Sequence, residues 1–438
     1  MYRHTIFSIS MILFFTTIPF SGLLCRGNEN KVNIIKLHNY QSQDGVRDSI
    51  RFALYRVSNR NLSFWGREYP INADFYNRGD ICTISIQKDH PDLHYKLWLQ
   101  EQPSPLVTIF PGIGSHFQGM GVNGMAQTYF DAGFSVMIIS SAMNWEFYLA
   151  ASRSNAPGYI PHDVEDIHNA LSKIFKEIKH KNPHKVKSLH LVGYSLGGLH
   201  TLFLAELETR IKDKIGFSSY LAIHPPLDPY ASMFILDDFF DKWKKWQKKD
   251  VPFKIESAVA AYLHLIQGGV TPSGEKDPEL KVKIPKEEAE VLIAYAYRNT
   301  LRELLLAICK NRKSMHFIQA EYSFTKSTLY REIDQYSFAK YAKTLVKKSA
   351  SIRSGKQLTL KEMAKNSNLR ILQQFLKKSD NISLIHSLDD FLISKKDIVW
   401  LNKVFRKNVY FFRYGGHLGE LYTPEAKRSI VKYLQIPK

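Results

Sequence analysis

Residues 188–210 read SLHLVGYSLGGLHTLFLAELETR, and this stretch decides the fold. Residues 188–192 form a short, mostly apolar run that ends at Gly193, which is typical of a strand buried on both faces. Residues 196–210 then predict a helix. Ser195 stands between them, on a sharp strand-to-helix turn with a glycine two positions to either side. Such a turn holds a serine hydroxyl above the edge of a sheet, where it can act as a nucleophile.

Similar runs surround this stretch. Residues 106–110, 134–139, 220–223, 382–385 and 409–412 are further apolar runs that predict strands. Amphipathic segments at 121–131 and 163–179 predict helices between them. Residues 81–86 and 95–99 predict a hairpin, and residues 26–60 are expected to wrap the outside. Strand and helix alternate, so we predict an α/β fold with a mostly parallel sheet flanked by helices.

The alternation stops near Asp228 and resumes near Asn381. Helical patterns fill the interval, among them 234–249, 255–267 and a long helix from Pro285 to about Lys310. An insertion between two strands of such a sheet is expected to cover the edge where ligands bind. We therefore predict a core in two parts, residues 26–228 and 331–438, with a large helical cap at 229–330.

A serine hydroxyl is a weak nucleophile at neutral pH, so it needs a base and an acid that orients the base. Asp390 and His417 each follow a predicted strand, which brings both to the sheet edge where Ser195 lies. The order Ser, Asp, His supports this set. Asp389 and Asp228 are alternative acids, since one adjoins Asp390 and the other follows an earlier strand.

A donor pair for the oxyanion is expected beside Ser195. Residues 110–114, FPGIG, leave a buried strand with glycines that permit close approach of the backbone. The backbone N–H groups of Ile113 and Leu196 could together form an oxyanion hole.

Over residues 80–435 the chain resembles the α/β-hydrolases, in particular their serine esterase and lipase branch. The resemblance rests on Gly-Tyr-Ser-Leu-Gly-Gly at 193–198, Leu-Asp-Asp at 388–390 and Gly-Gly-His-Leu-Gly at 415–419. It implies a Ser195–Asp390–His417 triad that cleaves a carboxylic ester through an acyl-enzyme, with no metal and no organic cofactor. The oxyanion loop departs from the family, which often has His-Gly where this chain has Pro111-Gly112, and the cap is larger than usual.

Two other functions stay open. An acyltransferase would use the same triad and differ only in excluding water. A non-catalytic protein that binds a lipid or another ligand could also be built on this fold.

Residues 1–25 predict a signal peptide. The segment has a positively charged start, an uncharged run from Thr5 to Leu24 and small residues at its end. This pattern indicates a bacterial protein that is exported and is periplasmic, secreted or anchored to a membrane through its N-terminus. Residues 22–25, GLLC, resemble a loose lipoprotein signal, which makes lipidation of Cys25 a side hypothesis.

The charge and the cysteines of the chain bear on its binding partners and on metal binding. The net charge is +19, and residues 340–380 hold eleven basic and two acidic residues. The lysine-rich 234–249 segment adds a Trp/Phe stripe, so we expect an anionic membrane surface as a partner and no nucleic acid. Cys82 and Cys309 belong to no metal-binding pattern, and nothing in the sequence says whether they pair.

Overall fold

The computed structural model describes residues 32–56, 59–64, 67–71, 73–266, 280–311 and 327–434. The predicted signal segment and Cys25 lie outside these residues and stay predictions. The strands are β1 (Ile34–Ile35), β2 (Asn59–Phe64), β3 (Arg67–Ile71), β4 (Asp80–Ile84), β5 (Leu93–Trp98), β6 (Ser104–Phe110), β7 (Ser135–Ile139), β8 (Val186–Tyr194), β9 (Ser219–Ile223), β10 (Ile382–Ser387) and β11 (Val409–Phe412).

Nine of these strands form one sheet in the order β1-β11-β10-β9-β8-β6-β7-β5-β4, while β2 and β3 form a separate hairpin. The pairs on either side of β5 are antiparallel and the other pairs in the nine-stranded sheet are parallel. Every residue of β7, β9 and β10 is buried, as the apolar runs predicted. The predicted mostly parallel sheet is confirmed, and β8 lies at its centre.

Sixteen α-helices are described. The first part of the chain holds α1 (Gly45–Ile50), α2 (Ala73–Arg78), α3 (Met120–Asp131), α4 (Trp145–Ala151), α5 (Ile160–Lys181) and α6 (Leu196–Arg210). The insertion holds α7 (Pro229–Asp241), α8 (Val251–Ile266), α9 (Lys286–Lys310), α10 (Ser327–Asp334), α11 (Phe338–Tyr341), α12 (Lys347–Ser354), α13 (Leu360–Ser367) and α14 (Gln373–Lys378). After β10 come α15 (Lys395–Phe405) and α16 (Pro424–Lys432).

Between β9 and β10 the described residues form helices joined by turns and loops, and none of them lies in a strand. This insertion runs past the predicted end of the cap at residue 330, and the next strand of the sheet begins at Ile382. Its later helices pack on the core, because α13 contacts α5 and α14 contacts α15. None of the helices in the described ranges is long and apolar enough to cross a membrane.

Two expectations about the outer segments were wrong. The predicted helix at 234–249 ends at Asp241, and a 3-10 turn at Lys242–Lys245 follows. A continuous helix would place Lys244 over Lys248 and Lys245 over Lys249, which is unfavourable for like charges.

The segment from residue 26 to residue 60 does more than wrap the outside. Its β1 pairs with β11, and Asp48 and Arg51 of this segment are fully buried as a contact pair. Asp48 and Arg51 compensate each other's charge in the interior. The polar composition of the segment does not predict this pairing.

Candidate active site

Ser195 lies on a strained turn between β8 and α6. Its backbone has φ 54° and ψ −126°, a conformation that L-residues rarely adopt. Its N–H donates to the carbonyl of Ile223 at 2.8 Å, which fixes the turn against β9. The turn also lies close to β6, because a Cβ at Gly197 would be 2.2 Å from the Phe110 carbonyl oxygen. Glycine is therefore required there, and the close packing holds the serine at the carboxyl edge of the sheet.

Ser195, His417 and Asp390 are in hydrogen-bond contact. The Ser195 hydroxyl donates to Nε2 of His417 at 2.9 Å, and Nδ1 of His417 donates to Oδ2 of Asp390 at 2.8 Å. The donor assignment follows from the ionised carboxylate, which can only accept. All three side chains are buried. This is the geometry that a serine nucleophile, a general base and an orienting acid require.

The two alternative acids occupy other positions. Asp228 caps the N-terminus of α7, where it accepts from the N–H groups of Tyr230 and Ala231, both at 3.0 Å. Asp389 accepts from the N–H of Gly416 at 2.9 Å and so holds the loop that carries His417. Of the three acids, it is Asp390 that contacts the imidazole.

The predicted oxyanion donors lie on the two backbone segments beside the serine. Leu196 is the first residue of α6, where backbone N–H groups have no partner within the helix. Ile113 lies in the loop after β6, and a Cβ on its neighbour Gly112 would be 3.1 Å from Cβ of Ser195. Asn144 fixes this loop by donating to the Gly114 carbonyl at 2.8 Å. The loop is thus close enough to serve Ser195, and the role of the two N–H groups stays a prediction.

Helix α1 packs against the loop that carries His417. The hydroxyl of Ser49 accepts from the N–H of His417 at 2.7 Å. Gly416 has φ 60°, and a Cβ there would lie 1.8 Å from the Gly45 carbonyl oxygen. The N-terminal segment therefore positions His417, a contribution that sequence reasoning missed.

Sequence reasoning also missed three buried side chains around Asp390. His224 donates from Nδ1 to Oδ2 of Asp390 at 3.0 Å and contacts Oε1 of Glu420 through Nε2 at 2.7 Å. His386 has its Nδ1 3.6 Å from the same Asp390 oxygen. A signal existed, since His224 follows β9 directly and His386 lies in β10, both at the edge that holds Ser195.

Among the described residues, one group has the spacing of metal ligands, namely His224, His386 and Asp390, whose candidate atoms lie within 4.8 Å of one another. Oδ2 of Asp390 already accepts from His417 and His224, and both ring nitrogens of His224 face carboxylates. Hydrogen bonds therefore account for the cluster, and we interpret it as part of the serine site.

Aromatic side chains lie next to His417, one from the segment after β10 and, packed against it, one from the insertion. The ring of Phe391 lies 5.9 Å from that of His417 and 5.2 Å from that of Phe239 in α7. Helix α9 lies over the loop after β6, because a Cβ at Gly114 would be 2.2 Å from Cβ of Thr300. Side chains of the insertion and of the segment after β10 thus lie close to the buried Ser195 and His417.

Comparison with known proteins gives matches among solved structures alone, since no family model and no curated protein matches the sequence. An esterase from Pyrococcus furiosus is 11% identical, with a TM-score of 0.41 over 86% of this chain and 96% of that one. Est1E from Butyrivibrio proteoclasticus is 13% identical, with a TM-score of 0.36 over 81% and 98%. The thioesterase domain of the curacin biosynthetic pathway is 12% identical, with a TM-score of 0.36 over 81% and 99%.

Similarity at this level says nothing about activity. The fold is therefore assigned from the structure of the chain itself. The strained Ser195 turn follows the central strand, Asp390 and His417 follow later strands of the same sheet, and all three meet at one edge. By this architecture the chain has the α/β-hydrolase fold.

Proposed function

We propose that this protein is a serine hydrolase that cleaves carboxylic esters through an acyl-enzyme. The observation that carries the proposal is the row of hydrogen bonds from Ser195 through His417 to Asp390, at 2.9 Å and 2.8 Å. The strained serine turn supports it, because strain of this kind persists where function requires the geometry.

The chemistry follows from the atoms that face one another. Oγ of Ser195 attacks the acyl carbonyl carbon while its proton passes to Nε2 of His417, and the carbonyl electrons move to the oxygen. Backbone N–H groups of Ile113 and Leu196 stabilise that oxyanion. His417 then gives its proton to the departing alcohol oxygen, and the ester C–O bond breaks. Water repeats the sequence on the acyl-enzyme, releasing the acid and restoring Ser195.

The substrate that fits best is an ester with an apolar acyl chain. Phe391 lies 5.9 Å from the ring of His417 and Phe239 of α7 packs on Phe391, and neither supplies a charge to recognise a polar head group. A lipid ester therefore suits the site better than a sugar or peptide ester.

A fluorophosphonate probe tests the nucleophile. We expect labelling of the wild type and none of Ser195→Ala. Hydrolysis of p-nitrophenyl esters of increasing chain length then measures the acyl preference. A folded wild type that neither reacts with the probe nor hydrolyses any ester would favour the ligand-binding alternative. Transfer of the acyl group to an added alcohol in preference to water would favour the acyltransferase.

We also propose a docking surface for an anionic lipid membrane, formed by Lys245, Lys248, Lys249, Phe253 and Ile255. Phe253 and Ile255 of α8 have 73% and 49% of their surface exposed. The three lysines are exposed and make no ion pair with any residue in the described ranges. Exposed apolar side chains beside free lysines match an anionic lipid surface in both polarity and charge. Helix α8 packs on α9, which lies over the oxyanion loop, so this surface belongs to the cover of the site.

The tryptophans of this region contact other parts of the insertion. Nε1 of Trp246 donates to Glu287 of α9, and the ring of Trp243 stands edge-on to that of Phe240. Lys244 pairs with Asp241. These contacts stabilise the insertion itself. The proposed docking surface therefore consists of the three lysines and the two apolar residues of α8 named above.

Sedimentation with phosphatidylcholine vesicles, with and without phosphatidylglycerol, tests the docking surface. We expect binding to rise with phosphatidylglycerol and fall with salt. Each basic residue near such a surface contributes about 1 kcal/mol, so Gln at 245, 248 and 249 should weaken binding roughly 100-fold. The control places Gln at Lys343, Lys347 and Lys348, three lysines of a separate groove of about 650 Å³. Equal losses in the two triple variants would overturn the assignment to this surface.

Export is the last part of the proposal. Residues 1–25 support it by their sequence pattern alone. N-terminal sequencing of the protein from its own cell should return a chain that begins near residues 22–26, and a cytosolic chain that begins at Met1 would contradict it. Labelled fatty acid should enter the wild type and not Cys25→Ala if the cysteine is lipidated.

A further inference from the structure

His224 is a second histidine bound to the acid of the proposed triad. It follows β9 with φ 48°, a left-handed conformation that is strained for a residue with a side chain. Its N–H donates to the Ile385 carbonyl at 2.8 Å, which ties it to β10. Nδ1 faces Asp390 and Nε2 faces Glu420, at 3.0 Å and 2.7 Å, and His224 and Glu420 are fully buried.

The ring of His224 is an imidazolium. Ionised carboxylates accept hydrogen bonds and cannot donate, so each ring nitrogen must carry a proton. Burial alone would lower the pKa of His224, but the carboxylates of Glu420 and Asp390 outweigh it and raise the pKa to about 10.

The neighbouring His386 has a different state. Its Nδ1 accepts from the N–H of Ser387 at 3.0 Å, so the proton is on Nε2, which faces the Pro225 carbonyl at 3.4 Å. Burial lowers the pKa of this imidazole to about 3, and it is neutral. The groups that face His224 are therefore Asp390 and Glu420 as anions, neutral His386, and the edge of the His417 ring, 5.9 Å away between centroids.

Asp390 is held at both oxygens. Oδ1 accepts from the N–H of Leu392 at 2.9 Å, while Oδ2 accepts from both His224 and His417. Of the two Glu420 oxygens, Oε1 contacts His224 and Oε2 has no hydrogen-bond partner. His224 is therefore the side chain that Glu420 meets in the interior, and the two residues form one unit.

We propose that His224, held by Glu420, is a positioning residue that fixes the carboxylate of Asp390 toward His417 and balances its charge during catalysis. The proposal rests on the proposed serine-hydrolase function. When His417 takes the proton of Ser195, it becomes positively charged, as His224 already is. The two imidazolium rings then alternate with the carboxylates of Asp390 and Glu420. Four buried charges then neutralise one another without water, which favours the charged transition state.

Glu420→Gln tests the unit, since glutamine keeps the shape and removes the charge. On a soluble p-nitrophenyl ester we expect kcat to fall ~10–100-fold with KM unchanged, the range seen when partners of a functional histidine are lost in metal sites. The pH profile of kcat/KM should differ from that of the wild type, because the charges beside Asp390 and His417 have changed.

Glu208→Gln is the matched control. Glu208 is also buried and contacts a histidine, Nε2 of His168 at 2.9 Å, but lies on α6 away from the site. We expect this variant to keep the wild-type kcat and pH profile. A folded Glu420→Gln protein with the kcat and pH profile of the wild type would overturn the positioning role.

A measurement on the wild type keeps the proposal testable if Glu420→Gln does not fold. Nitrogen-15 spectra of histidine-labelled protein at pH 8 should show one imidazolium with both ring nitrogens protonated, at a pH where an ordinary histidine is neutral. Absence of that signal would overturn the proposal. Fluorophosphonate labelling of the same sample reports separately on Ser195, so failure of the network and failure of the proposed function remain distinguishable.

Discussion

Three donors converge on the carboxylate of Asp390: His417, His224 and the N–H of Leu392. Burial alone would raise the pKa of Asp390, yet the imidazoles of His417 and His224 hold it well below its usual range. Asp390 is therefore ionised and held in place, as its proposed role as the orienting acid requires.

The first prediction compares two aspartates. Asp390→Asn should lower kcat by about 10³–10⁴-fold, because an amide at this position favours the wrong tautomer of His417. Asp228→Asn should change kcat little, since Asp228 caps α7 and contacts Asn368 at 3.1 Å. Steady-state hydrolysis of a soluble ester measures both. A crippled Asp228 variant beside a mild Asp390 variant would show that the acid is misassigned.

The second prediction concerns Asp389 and pH. Burial raises the pKa of Asp389 to about 6, above the value of about 3.9 of an unfolded aspartate. The folded state thus binds the proton more tightly, and its stability falls as pH rises from ~4 to ~6. Asp389→Asn cannot ionise, yet its oxygen can still accept from the N–H of Gly416. The variant should gain stability relative to wild type at pH 7 but not at pH 4, as measured by urea unfolding at each pH. A gain of the same size at both pH values would contradict this account.

At the scale of elements, the site depends on how closely β6, β8 and α6 approach one another. The Ser195 turn and the start of α6 lie against the carbonyls at the end of β6 and in the loop that follows. The same contact brings the predicted oxyanion loop beside the serine. A small change in the distance between these backbone segments would displace Ser195 and the predicted oxyanion donors at the same time.

The third prediction uses two neighbouring glycines of α6. A Cβ at Gly197 would be 2.2 Å from the Phe110 carbonyl oxygen, so Gly197→Ala should displace the turn and cost about 1–3 kcal/mol as well as most of the activity. At Gly198 the nearest atom would be 3.1 Å away, and alanine favours a helix. Gly198→Ala should therefore be much milder. Unfolding in urea and labelling by the fluorophosphonate probe compare the two, and equal effects would sink the close-approach argument.

At the scale of the whole molecule, the insertion is tied to the core by buried charge. Arg353 of α12 donates to Asp166 of α5 at 2.8 Å, to Glu165 at 2.7 Å and to Ser154 at 3.0 Å. Asp166 is 1% exposed and is shared with Arg153. A buried carboxylate of this kind needs its partners, so the contact holds α12 in place.

The fourth prediction removes this tie. Arg353→Met should cost roughly 2–3 kcal/mol, below the usual loss for a broken buried pair because Arg153 still contacts Asp166. Arg302→Met is the control, since its ion pair with Asp334 is partly exposed and should contribute at most about 1 kcal/mol. Urea unfolding measures both. A loss in the control that matched the loss in Arg353→Met would contradict the role of burial.

Local sequence patterns were enough to predict the sheet and to bring Ser195, Asp390 and His417 to one of its edges. Continuous apolar runs predicted the central strands, because a strand buried on both faces has no polar side to present. The Gly-Tyr-Ser-Leu-Gly turn predicted the position of Ser195, and the ends of later strands predicted Asp390 and His417. These inferences depend on local pattern and on the rule that parallel strands end at one edge, so they need no knowledge of packing.

The tertiary structure alone decided between Asp390, Asp389 and Asp228 as the partner of His417, because all three follow strands and differ in which atoms they meet. It alone brought His224 and Glu420, 196 residues apart, into contact, and placed α1 beneath the loop of His417. It also ended α7 at Asp241. Contacts between residues distant in sequence depend on how the elements pack, and a buried charge becomes favourable only when packing supplies its partner.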